Sequence, residues 1–228
     1  MKECDAFGNE RAEVCRVGRS LFERGHVHAT AGNISLRLPG TAGFLITPTD
    51  ACLGFLQPAQ LAWVDAEGQQ RGGNPASKTL ALHRRIYAAA PDANCVIHTH
   101  STHLVALTLA GVWQPGCVLP PITPYFVMKV GAVPLIPYHR PGDPAVGDLV
   151  AGAIARAAER GAPLRAVLLD RLGPNAWHAT PAGAMAVLEE LEETARLWLM
   201  STPRPPALNA RQLAELQQHF GARWLPTE

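Results

Sequence analysis

The chain has 228 residues, 47% of them hydrophobic and 17% charged, with a formal net charge of +1. Such a length and apolar fraction predict one sizeable α/β domain or two small ones, built on a large core. A net charge this close to zero leaves no electrostatic footprint for nucleic acid or an anionic membrane.

From the N-terminus, MKECDAFGNERAEV lacks the apolar stretch of a secretory leader. Val14, Val17, Leu21 and Phe22 predict an amphipathic helix over residues 10–24 that ends at Gly25. Strand-like runs follow at 34–38, 43–47 and 61–64, separated by turn chemistry. GGNPAS (72–77) reads as a loop whose Ser77 caps a helix through LALHRRIYAAA. CVIH (95–98) reads as a buried strand, and STHLVALTLAG as a short helix after it. The longest apolar stretch, LVALTLAGVW (104–113), is too short to cross a bilayer. A proline-rich loop region spans 115–144 and encloses a strand at 132–137. Asp143 and Pro144 then open a helix that runs to Arg160. AVLLD (166–170) is a strand, Thr180-Pro181 opens another helix, and Asn209 caps a last short one. Five cysteines (4, 15, 52, 95, 117) without C-x-x-C spacing point to reduced thiols, hence to a cytoplasmic protein. Strands and helices interleave without repeat or domain boundary, which predicts one layered α/β domain.

Within that frame, "ANCVIHTH" (93–100) places His98 and His100 at positions i and i+2 where a strand ends. Two imidazoles then emerge on one face, either as metal ligands or as a hydrogen-bonded pair. "TAGNIS" (30–35) sets small residues where a backbone must approach something closely, and "ITPTD" (46–50) ends a strand with two hydroxyls. Both segments also read as ordinary turns. "NPASK" (74–78) puts Lys78 at a helix N-terminus, where a cation opposes the helix dipole. The lysine is therefore a plain surface residue or a functional one. A helix N-terminus with hydroxyls nearby makes a phosphate site.

Taken in order, T-A-G-N-I-S, L-I-T-P-T, P-x-S-x and H-R-x-I-Y-x-A-x-P-D-A-N-x-V-I-H-x-H-S resemble the class II aldolase family. That family includes fuculose-phosphate aldolase and ribulose-phosphate 4-epimerase, and adducin head domains share its fold. The resemblance implies a single α/β/α domain with a central, mainly antiparallel sheet flanked by helices. The domain would occupy 1–228, with a core of about 10–200 and a C-terminal extension over 201–228 that carries a short helix. It further implies a homotetramer with sites between subunits, and zinc held by His98, His100 and a third histidine. Asn33, Thr49 and Ser77 fall on the family's phosphate-binding positions.

The residue after the phosphate-site serine separates the family's chemistries: glutamate in aldolases, aspartate in epimerases, and here Lys78. Lysine at this point, with TPYFVMKVG (123–131), PLIPYHRPGDPA (134–145) and LEELEETARL (188–197), is similar to the 3-oxo-tetronate 4-phosphate decarboxylase branch. Lys78 would then pair with the departing carboxylate and return a proton to the carbanion, whereas a glutamate in the same place would repel that carboxylate. Lys129 and Arg140 are further cations that could meet an anionic substrate or serve as surface charges.

The sequence departs from the family where its third zinc histidine falls, in a motif like L-L-x-N-H-G-P. LLDRLGP (168–174) puts Leu172 at the histidine and Arg171 at the asparagine. His178, His103 and His139 are the alternative donors. Asp50 also stands where aldolases have glycine, and Ala76 where they have serine. Three readings follow: a decarboxylase acting on a sugar-acid phosphate, an aldolase or epimerase on the same scaffold, or a metal-impaired, non-catalytic relative.

Overall fold

A computed structural model describes residues 7–226; Cys4, among the five cysteines, lies outside them. The other four cysteines are free thiols. The elements are α1 (Gly8–Glu23), β1 (Asn33–Arg37), β2 (Phe44–Ile46), β3 (Ala62–Val64), β4 (Gln70–Gly72) and α2 (Leu80–Ala89). After them come β5 (Cys95–His98), α3 (Thr102–Ala110), β6 (Leu135–Ile136), α4 (Pro144–Glu159), β7 (Ala166–Leu169), β8 (Gly173–His178), α5 (Pro181–Met200) and α6 (Ala210–Phe220).

The strands form one eight-stranded sheet in the order β4-β3-β2-β1-β5-β8-β7-β6. Every pair is antiparallel except β6 with β7. Residues alternate between two apolar layers, as strand geometry requires. Ile34, Leu36, Cys95, Ile97, Leu168 and Ala176 face α1, α3 and α5. Phe44, Ile46, Val96, Val167, Leu169 and Trp177 face α2 and α4. Both faces are covered, so most strand positions are apolar and few read as a simple alternation. None of the described helices is long and apolar enough to cross a membrane.

The helix ends follow their local chemistry. Asp143 accepts from Ala145 N, Thr180 from Gly183 N and Asn209 from Gln212 N, each satisfying a donor that the helix leaves free. Ser77 does not cap α2. The helix begins two residues later behind Thr79, and the Ser77 hydroxyl instead accepts from Thr79 N at 3.3 Å. Lys78 therefore sits in the turn just ahead of the helix, next to its N-cap Thr79. In the proline-rich region the expected strand over 132–137 shrinks to β6, and Phe126–Val130 forms a π-helical turn.

Candidate active site

The second alternation layer becomes polar at one end of the sheet. Asn33 on β1, His98 on β5 and Asn175 on β8 lie directly opposite one another across three adjacent strands. Directly paired antiparallel residues share a face, so these side chains form a row on the α2/α4 side. The loops leaving this end enclose a cavity of about 740 Å³.

Two close backbone approaches shape its floor. Gly32, at φ 84°, brings the 30–33 turn against the end of β5, and a Cβ there would stand 2.8 Å from the His98 carbonyl oxygen. Gly173, at φ 124°, presses the β7–β8 turn onto the same strand exit, where a Cβ would meet the Thr99 carbonyl oxygen at 2.1 Å. Neither position admits a side chain. Opposite, the 46–50 loop is stitched to the 74–78 loop by Thr49 N to Pro75 O at 2.9 Å and Ser77 N to Thr47 O at 3.1 Å. Of the two hydroxyls in ITPTD, that of Thr47 is spent on the fold, accepting from Ile34 N at 3.1 Å. Thr49 lines the cavity.

Asn33, Thr49, Ser77, Lys78, His98 and His100 all line this one cavity. The two imidazoles meet edge to face, with ring centroids 5.0 Å apart. His98 Nδ1 lies 2.8 Å from the Pro174 carbonyl oxygen, which can only accept, so Nδ1 carries the proton and Nε2 keeps its lone pair. Burial, and then the neighbouring His100, push His98 down to about 4. Burial, and then His28, lower His100 as well. Both rings are neutral near pH 7, the form that coordinates metals, and the backbone bond to His98 is the orienting contact that ligating histidines commonly have.

A third protein ligand is lacking: among the described residues no three His, Cys, Asp or Glu side chains are placed to hold one ion. Leu172 is half-buried, lines the cavity and packs on the apolar layer beneath. His178 pairs with Cys95 at the far end of β5, and alternation turns both toward the opposite layer. His103 is bonded through Nδ1 to Glu192, at 2.8 Å. His139 does line the cavity, with Nδ1 held at 2.8 Å from Pro137 O.

The cations divide. Lys78 is 78% exposed and stands 3.7 Å from the Asp50 carboxylate. Asp50 has φ 54°, a left-handed conformation that glycine accepts freely and aspartate tolerates better than most residues. Arg140 lines the cavity, whereas Lys129, exposed on the π-helical turn, does not.

Sequence reading passes over His83, a fully buried histidine on α2 whose Nε2 lies 2.6 Å from Asn33 Oδ1. A signal was present. His83 shares the i, i+3, i+4 face of Ile86 and Tyr87, the face that α2 buries.

Residues 12–199 match the family model described as Class II Aldolase and Adducin N-terminal domain. The chain is 55% identical to a 3-oxo-tetronate 4-phosphate decarboxylase of Cupriavidus necator, over 94% of this chain and 97% of that protein. It is 39% identical to the protein of the same description from Escherichia coli K12, over 91% and 94%. Among solved structures it resembles YgbL of Escherichia coli, described as a putative aldolase/epimerase/decarboxylase. That likeness has a TM-score of 0.82 and 38% identity, covering 92% of this chain and 98% of that one.

Proposed function

The chain belongs to the class II aldolase and adducin family, and we propose that within it the chain is a carboxy-lyase converting 3-oxo-tetronate 4-phosphate to dihydroxyacetone phosphate and CO2. The observation that carries this reading is the presence of Lys78 on the same cavity as the His98–His100 pair and the Asn33, Thr49 and Ser77 loops. Similarity to decarboxylases over nearly the whole chain supports it.

Asn33, Thr49 and Ser77 offer an amide and two hydroxyls to the phosphate. Lys78 pairs with the C1 carboxylate. As the C1–C2 bond breaks, its electron pair moves onto C2 and into the C3 carbonyl, and CO2 leaves. Lys78 then gives its proton to C2, completing the hydroxymethyl group of the product. His98 and His100 would hold a divalent metal, zinc by the family resemblance, which when bound supplies Lewis-acid polarisation of the keto oxygen. These two imidazoles would be the described residues' contribution to the site, where catalytic zinc ordinarily takes three protein ligands. The whole of 1–228 acts as one cytoplasmic catalytic domain in this reading, assembled as a homotetramer.

The test is stoichiometry. Protein supplied with zinc should release one CO2 for each dihydroxyacetone phosphate formed from 3-oxo-tetronate 4-phosphate. Absence of turnover on this compound, with cleavage of a fuculose-type sugar phosphate instead, would replace the decarboxylase by an aldolase.

A further inference from the structure

Asn33 has two different ends on its side-chain amide, and only the nitrogen can donate to an oxyanion. Its Oδ1 lies 2.6 Å from His83 Nε2. On the other side of that ring, Nδ1 lies 2.7 Å from Ser35 Oγ, and Ser35 Oγ lies 2.8 Å from the Tyr87 hydroxyl. The Tyr87 hydroxyl is also 3.2 Å from the Asn94 carbonyl oxygen. Burial, reinforced by His98, pushes His83 down to about 3, so the ring is neutral and has a single N–H.

Proton counting then sets the direction of the chain. With the Asn33 amide oxygen placed toward the ring, an acceptor oxygen stands at both ends; the reversed amide would instead put the His83 proton on Nδ1. His83, Ser35 and Tyr87 bring one proton each to four contacts. One contact must go without, and the longest is the one to Asn94 O. That carbonyl loses little, because it already accepts from Arg37 N at 2.7 Å. The three short contacts are all satisfied if Tyr87 donates to Ser35, Ser35 to His83 Nδ1, and His83 Nε2 to Asn33 Oδ1. Every proton runs toward the cavity, and the Asn33 oxygen is taken.

We infer that His83, backed by Ser35 and Tyr87, is a positioning residue that holds the Asn33 oxygen inward and presents the Asn33 amide nitrogen to the cavity as a donor for an oxyanion. His83 itself touches no substrate. The inference rests on the reading of Asn33 as part of the phosphate site, and it makes that site specific for an acceptor-only group.

Inorganic phosphate is the probe, measured by calorimetry on the full-length protein and as a competitive inhibitor of turnover. His83→Leu, which leaves the Asn33 amide free to turn, should weaken phosphate binding about tenfold, the scale of one hydrogen bond to a charged group. KM for the phosphorylated substrate should rise with it, and kcat should hold. His83→Gln, whose amide nitrogen can donate to the same Oδ1, should regain most of the loss; a residue that merely fills space would show no such rescue. Independently of any variant, 15N spectra of the wild-type protein should show the His83 proton on Nε2. A proton on Nδ1, or folded His83→Leu that binds phosphate like wild type, overturns the positioning role alone. Wild-type protein that binds no phosphate overturns the phosphate assignment of Asn33 and the inference with it.

Discussion

At the scale of single residues, Asp50 and Lys78 set the electrostatics of the cavity mouth. The pair is separated by 3.7 Å and both side chains are largely exposed, so solvent screens it. Exposed pairs of this kind are worth about 0.2–1 kcal/mol. In the proposed reaction Asp50 competes with the substrate carboxylate for the lysine. Asp50→Asn keeps a residue suited to φ 54° and should lower KM by up to about fivefold, with kcat little changed, as steady-state kinetics would show. Legibility at this scale was uneven. The i, i+2 rule anticipated that His98 and His100 would share a face; β5 ends at His98, and the residues just beyond it still carry His100 onto the same cavity. His83 escaped because a lone histidine in a helix shows its partner only once β1 and α2 are packed together. The role assigned to Ser77 as a helix cap failed for a local reason: its hydroxyl closes a turn with Thr79, and the helix starts behind that turn.

Among the elements, the β7–β8 hairpin carries the departure that matters most. Arg171 adopts φ 61° and Gly173 φ 124°, so the turn is tightly specified, and Leu172 between them lines the cavity where the family resemblance expects a third imidazole. Leu172→His should restore a ligand in place. The variant should retain zinc through chelator dialysis better than the natural protein, by at least the roughly 10–100-fold in affinity that mere outer-shell partners of metal ligands contribute, because the new imidazole would be a direct ligand. Equal retention in the two proteins would mean that another group already completes the site. The hairpin was only half legible. AVLL reads as a buried strand from its composition, but Gly-Pro-Asn-Ala-Trp-His carries none of the alternation that would announce β8. Pro174 is tolerated near the start of that strand, and its carbonyl oxygen serves to orient His98. Short elements such as β4 and the Phe126–Val130 turn were invisible for a related reason: they hold too few residues for any period to show. The caps at Asp143, Thr180 and Asn209 were readable because each is a contact within four residues.

For the molecule as a whole, interleaved strands and helices implied one layered α/β domain, and the family resemblance implied that its sheet is mainly antiparallel with helices on both faces. The strand order itself, in which β5 joins β1 to β8, arises from long-range pairing that periodicity does not encode. That pairing is what brings Asn33 and His98 side by side, and the loops beyond it bring Lys78 to the same cavity. The central claim is that this one lysine makes the cavity a decarboxylase. CO2 release from 3-oxo-tetronate 4-phosphate by Lys78→Met tests it most directly. Loss of a group that is both carboxylate partner and general acid should cut the rate by at least about 10²–10⁴, while thermal unfolding stays close to wild type because the side chain is exposed. Turnover by Lys78→Met at near wild-type rate would contradict the account.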